Sequence, residues 1–206
     1  RALLQIMKIR FFIIILAMSS LLHSEENFGI VVHGGAGVMS GLSEERQQEI
    51  HKKIQETVSQ AYEILEKGGS SLDAVELAVS MLEDSPLFNA GRGSVYNSDE
   101  VQEMDASIMD GKNRLSGAVA SVTSVKNPIK LARKVAEETK HVLLMGEGAE
   151  RFAKDIGVDI VEKDYFYNEE RLKRLRNSKK KISKLNESTD KIAVSYTHLT
   201  LPTIPT

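Results

Sequence analysis

Two helices with apolar stripes, joined through Gly68-Gly69 and followed by two short strands of mostly small side chains, are what most constrains this chain. Ser43 stands where a helix N-cap belongs, with Glu44 and Glu45 in the first turn, where the helix dipole favours acids. Ile50, Ile54, Val58, Ala61 and Leu65 recur at three- to four-residue steps and lay one apolar face along that helix. Ser70 with Asp73 three residues on has the pattern of a capping box. Ala74, Leu77, Ala78, Met81 and Leu82 then turn inward before Pro86 ends the second helix. Met104, Ala106 and Ile108 alternate with Asp105, Ser107 and Met109, Asp110-Gly111 offers turn chemistry, and Ala118, Ala120 and Val122 alternate on the way back. The helices from Ser43 and Ser70 are expected to form one layer on a sheet whose small side chains let a further layer approach its other face.

The flanking segments fit the same scheme. Phe28 to Val32 reads as a buried strand emptying into the loop His33-Gly34-Gly35-Ala36-Gly37. Asn127-Pro128 is a cap followed by an N1 proline and predicts a helix over Ile129 to Thr139. His141 to Met145 reads as a further buried strand, and Glu147 to Ile156 as a helix closed by Gly157. The fold class expected is α/β, of the α+β type.

The chain has 206 residues, 41% hydrophobic and 27% charged, which suits one packed domain and argues against wholesale disorder. A net charge of -2 points away from a general nucleic-acid binder. The basic run Arg171, Lys173, Arg174, Arg176 and Lys179 to Lys181 reads as a solvated helix face or a tether. With no cysteine there is no disulfide, thiolate metal site or thiol nucleophile. The five histidines, at 23, 33, 51, 141 and 198, include no pair at zinc-helix spacing.

Both ends differ in character from the middle. Met7-Lys8-Ile9-Arg10, the apolar run Phe11 to Met18 and the following Ser19 and Ser20 have the layout of a secretory signal peptide, with cleavage after Ser19 or Ser24. A membrane span would need about 20 apolar residues. Export, periplasmic or secreted, is therefore expected. Arg1 to Ile6 read as upstream sequence, and Ser195 to Thr206 as a tail foreign to what precedes it.

Candidate chemistry centres on the glycine loop. As a dinucleotide fingerprint it fails, because Ser40 stands where the third glycine belongs. As the oxyanion loop of an α/β-hydrolase it lacks a G-x-S-x-G elbow elsewhere in the chain. A plain tight turn is the remaining reading. Asp105 and Asp110 could pass for a catalytic carboxylate pair, but on a hairpin with Gly111 they read as structural.

Four segments give this loop a context: His33-Gly34-Gly35-Ala36-Gly37; Leu82-Glu83-Asp84-Ser85-Pro86-Leu87-Phe88-Asn89-Ala90-Gly91-Arg92-Gly93-Ser94; Met104 to Gly111 with Gly117 to Ala120; and Gly146-Glu147-Gly148-Ala149-Glu150. In this order, over about residues 28 to 156, they closely resemble the plant-type asparaginase and isoaspartyl-peptidase family of N-terminal nucleophile hydrolases. The resemblance implies a four-layer αββα sandwich. It also implies a precursor that cleaves itself before a threonine, giving α and β chains that stay together, with αβ units pairing into a dimer. The freed threonine attacks L-asparagine or a β-aspartyl dipeptide, its own α-amine taking the hydroxyl proton. No cofactor is implied beyond a structural sodium ion.

Carried over residue by residue, the resemblance makes Asn89 a supporting group at the active site and His33, Gly34, Gly35 and Gly37 a loop that supports self-cleavage. Main-chain groups of Leu82, Glu83, Ser85, Phe88, Ala90 and Arg92 would hold the sodium ion, although the family usually has an apolar residue at the last of these. The family nucleophile lies in a Gly-Thr-Val-Gly motif, whereas Thr189, Thr197 and Thr200 lack the flanking glycines. The chain therefore reads as signal peptide and upstream residues over 1–24, α-subunit portion over 25–165, charged linker over 166–194 and non-native tail over 195–206. Only the α half of the sandwich is expected here, inactive without its β-subunit. An exported non-catalytic binding module is the alternative.

Overall fold

The computed structural model describes residues 28–35 and 41–188. The chain divides into two units, residues 1–31 and 32–206. In the first, Phe28 to Val31 carry no regular secondary structure, and Val31 is 94% exposed. The strand expected over Phe28 to Val32 is thus not formed. Its β-rich composition sets a preference, but a strand also needs a paired ladder for its backbone groups, and no ladder involving these residues is formed among the described residues.

The second unit is a mixed α/β fold. Helix α1 (Glu44–Glu66) is capped by Ser43, whose hydroxyl accepts the Arg46 N–H at 3.3 Å. It ends where Gly68 takes φ +77° and the Gly69 N–H returns to the Ile64 carbonyl at 2.8 Å. Helix α2 (Ser71–Glu83) opens with the expected box, in which Ser70 and Asp73 each accept the other's backbone N–H. The two helices pack on each other, burying Ala61, Ala74, Ala78 and Leu82. Ile50, Ile54, Val58 and Leu65 of the α1 stripe are only half-buried.

Strands β1 (Met104–Asp110) and β2 (Leu115–Val122) pair antiparallel, and β3 (Leu143–Met145) adds to β2 in parallel, giving the order β1-β2-β3. Between β2 and β3 runs helix α3 (Pro128–Glu138), so the parallel pair is joined by a helical crossover. It is α3, rather than the α1–α2 pair, that principally covers the sheet; α2 touches β1 and α3. Small residues on β2 decide this. A Cβ at Gly117 would stand 2.2 Å from the Ala132 carbonyl oxygen and 2.4 Å from the Ala136 nitrogen, so the α3 backbone lies almost on the strand. Ile129, Leu131 and Val135 from α3 join Met104, Ile108, Val119 and Val122 in the core, with Ala149 and Ala153 of helix α4 (Gly146–Asp155) and Phe166.

Two sequence expectations for the sheet are corrected. The inward residues of β2 are Gly117, Val119 and Val122, while Ala118 and Ala120 face the other side. The cause is a bulge: Met104 pairs with Val122 but Ala106 with Val119, and Ser121 adopts φ +54°. Asp105 Oδ1 accepts the Ser121 N–H at 2.8 Å and holds the bulge open. Nor is β3 a buried strand. It is a three-residue edge with Leu143 and Met145 more than half exposed, because only β2 flanks it. The hairpin turns through four residues, 111–114, with Arg114 rather than Gly111 at positive φ.

Beyond a short 3-10 turn at Lys163–Tyr165, the charged segment forms helix α5 (Glu169–Ser188). Arg176 engages Glu100 through both guanidinium and carboxylate forks at 3.1 and 2.6 Å, and Lys179 donates to the Ser98 carbonyl. The solvated-face reading of the basic run therefore holds for most of it. The signal-peptide segment, Ala36, Gly37 and the tail from Ser195 lie outside the described residues. Among the described residues no helix is long and apolar enough to cross a membrane.

Candidate functional site

At the C-terminal end of α2 the chain turns through Ser85-Pro86 and drops Phe88 into the interior, 5% exposed, which leaves Asn89 at the surface beside it. Asn89 Oδ1 accepts the Val95 N–H at 2.9 Å. Its Nδ2 has no partner among the described residues. Asn89 thus closes a local turn with one atom and keeps the donor of the same amide for another group.

The glycine turn meets this segment. Gly34 lies so close to α1 and Phe88 that a Cβ would reach Ile54 Cδ1 at 3.0 Å and Phe88 Cε1 at 3.2 Å. Gly35 takes φ +98°, a conformation that disfavours any residue with a Cβ, and its N–H donates to His33 Nδ1 at 3.1 Å. Gly34, Gly35 and Asn89 line one cavity of about 360 Å³. His33 Nδ1 is thus engaged in the turn.

From Leu82 to Gly93 the backbone winds tightly on itself. A Cβ at Gly91, which has φ +47°, would stand 2.2 Å from the Glu83 carbonyl oxygen; one at Gly93 would stand 1.9 Å from that of Phe88 and 2.9 Å from that of Pro86. Both glycines are therefore required by close approach of carbonyls. Arg92 between them turns its side chain outward, its guanidinium 5.3 Å from the centre of the Tyr165 ring, whose hydroxyl donates to Asp84 Oδ1 at 3.3 Å. A long cation is accommodated here because only the backbone of Arg92 belongs to the winding.

Glu83, at the end of α2, is 3% exposed. Its Oε1 accepts the Ile129 N–H at 3.0 Å, so the carboxyl of one helix caps the first turn of another. Burial pushes its pKa up to about 8, against the Ile129 N–H and the Asn127 amide, which favour the charged form. Asn127, expected as a side-chain cap of α3, instead donates to Asp84 Oδ1 at 3.1 Å. Glu83 Oε2 and Asn127 Oδ1 are buried without a hydrogen-bond partner, and a neutral Glu83 supplies a proton at such a place. The sequence signal was an acid in the last turn of a helix, where the dipole disfavours it.

Glu150, in the Gly146–Glu150 segment, is the second carboxylate that sequence reading passed over. Its Oε1 accepts the Thr123 N–H at 2.7 Å, the Thr123 hydroxyl at 2.9 Å and the Ser124 N–H at 3.0 Å, tying α4 to the end of β2. Burial raises its pKa, but these donors outweigh it and hold the carboxyl below the usual glutamate value. Asp110, by contrast, accepts from Lys112 and Asn113 within its own turn, and Asp105 serves the bulge. Neither forms a catalytic pair. Among the described residues no group of three or more acidic, histidine or cysteine side chains could hold a metal ion.

A family model described as asparaginase matches residues 26–201. The chain belongs to this asparaginase family. It is 47% identical over 150 residues to the isoaspartyl peptidase/L-asparaginase of Rattus norvegicus, covering 73% of this chain and 44% of that one. Against the plant-type L-asparaginase of Pyrococcus furiosus it is 49% identical over 158 residues, 77% of this chain and 50% of the relative. The plant-type L-asparaginase of Thermococcus kodakarensis gives 48% over 159 residues, 77% and 50%. This chain spans about half the length of the relatives it matches. The four motif segments fall within the matched region.

Proposed function

We propose that this chain is the α-subunit portion of an autocleaving threonine hydrolase acting on the amide of L-asparagine, on β-aspartyl dipeptides, or on both. The observation that carries this reading is the cavity that joins the Gly34-Gly35 turn to Asn89 in a chain of the asparaginase family, with the Asn89 amide donor uncommitted among the described residues. In this role Nδ2 donates to the substrate or to the attacking threonine, and the tight turn lets a backbone approach without a Cβ in the way. The nucleophile, the α-amine that takes its proton and the remaining oxyanion donors come from a β-subunit, so the present chain alone performs no turnover. The mixed α/β unit is half of a four-layer αββα sandwich in this reading, and αβ units pair into a dimer. Export follows from the basic start at Met7 and the apolar run after it.

A structural sodium ion belongs to the same reading. The carbonyls of Glu83 and Phe88 crowd the two glycines of the Leu82–Gly93 winding, which is the donor chemistry a hard monovalent cation takes. Main-chain oxygens of Leu82, Glu83, Ser85, Phe88, Ala90 and Arg92 would hold it, and its contribution is to stiffen the segment that presents Asn89.

The experiment is to co-express the chain with the β-subunit of a relative and measure ammonia released from L-asparagine and amino acid released from β-aspartyl dipeptides. Turnover is expected from the pair and none from the chain alone. Asn89→Asp keeps the oxygen that accepts the Val95 N–H and removes the donor, so it should preserve the fold and lose most turnover. Full activity of that variant would refute the role given to Asn89, and turnover by the chain alone would refute the half-enzyme reading.

A further inference from the structure

The cavity beside the glycine turn contains a charge that the hydrolase reading does not use. Three arginines line it, Arg46 from α1 with Arg171 and Arg174 from α5. Arg46 is paired with Glu49 at 3.0 Å, and Arg174 with Glu170. The Arg171 guanidinium makes no hydrogen bond or ion pair among the described residues. It is nevertheless half-buried and stands in the first turn of α5, where a cation opposes the helix dipole. Burial, then Arg174 and Arg46, press its pKa below the usual arginine value, and Glu170 offsets only part of this. Arginine stays protonated through any such shift, so the cost remains in the folded chain.

The rest of the wall is mixed: His51, Asn89, Asn168 and Glu170, the last paired with Arg174, stand beside its apolar residues. Leu42, Ile50, Ile54, Leu87 and Phe88 face the same space, and about 360 Å³ falls in the range of small-molecule sites. One free guanidinium presents a planar fork that matches one carboxylate in a bidentate pair. A doubly charged phosphate would call for more free cation than this wall has, and would leave the apolar side unused.

We propose that this cavity binds a small monocarboxylate with a short apolar stem, its carboxylate on Arg171 and its stem against Phe88 and Ile54. The cavity is the one that carries the hydrolase reading, but the proposal concerns binding alone and needs no nucleophile and no bond cleavage. Its test reads binding rather than turnover, so the two readings fail separately.

The probe is hexanoate, titrated into the ¹⁵N-labelled 206-residue chain at constant ionic strength, with hexanamide and inorganic phosphate as comparators. Hexanoate should shift the Gly34, Gly35 and Asn89 amide signals saturably, and hexanamide should bind at least tenfold more weakly. Arg171→Gln should lose at least tenfold in affinity with its helical circular dichroism unchanged. Should that variant fail to fold, Arg171→Lys keeps the charge but not the fork, and a several-fold loss is expected of it. Equal binding of hexanamide, undiminished binding to either Arg171 variant, or displacement of hexanoate by equimolar phosphate would overturn the proposal.

Discussion

Replacing Glu83 by glutamine should remove a pH dependence of stability that the chain carries between pH 5 and 7. The folded carboxyl, pushed by burial to about 8 from an ordinary value of 4.5, holds a proton that the unfolded chain releases. An acid raised in this way contributes stability that is fully present below pH 4.5 and is lost as pH climbs to 8. The whole gap corresponds to about 5 kcal/mol at 1.36 kcal/mol per unit. Between pH 5 and 7 the loss comes to about 2.5 kcal/mol. Glutamine keeps an oxygen for the Ile129 N–H and stays neutral at every pH, so the variant should lack this term. Asp84 and Lys130, the nearest charges acting on Glu83, are common to both proteins and cancel in the difference. The assay is urea unfolding of both proteins at pH 5, 6 and 7. The advantage of the glutamine variant should grow by about 2.5 kcal/mol across that range. Curves that stay parallel to within about 0.5 kcal/mol would show that Glu83 is ionised in the folded chain and refute the argument.

Gly117→Ala should cost about 3 kcal/mol or prevent folding, because its Cβ meets backbone atoms of α3 that cannot move aside, and a thermal melt reads this directly. Glu150→Gln should lose about 2 kcal/mol at pH 7 by weakening charge-assisted bonds to three donors. Since the Glu150 pKa is lowered, its contribution is present above pH 4.5 and fades as pH falls below it, so the two proteins should converge in acid titrations. Met109, Leu143 and Met145 leave apolar surface on the sheet, so the folded chain should bind a hydrophobic dye, and Met109→Lys with Met145→Lys should reduce that signal several-fold without lowering helicity.

Structure that depends on neighbours in the chain is legible in the sequence at most positions, the side chain of Asn127 being an exception because it turns to Asp84 instead of capping its helix. The Ser43 cap, the Ser70–Asp73 box, the glycine stops at 68 and 157 and the N1 proline at 128 each act within a few residues, and all stand where their chemistry puts them. The same holds for Asp105 and Asp110 as structural residues and for the motif set that marks the asparaginase family. Tertiary contacts decided the rest. Alternation in β2 broke at Ser121 because a carboxylate 16 residues upstream captures its N–H, and no local pattern encodes that bulge. Phe28 to Val32 has strand composition without a strand, since a ladder requires a partner that propensity cannot supply. Glu83 and Glu150 look like ordinary surface acids in the sequence. Burial sets the protonation of Glu83 against the Ile129 N–H 46 residues away, and donors at Thr123 and Ser124 set that of Glu150; both surroundings arise only when α2 meets α3 and α4 meets β2. The strength of a charge depends on its solvent and its partners, and folding rather than sequence chooses both.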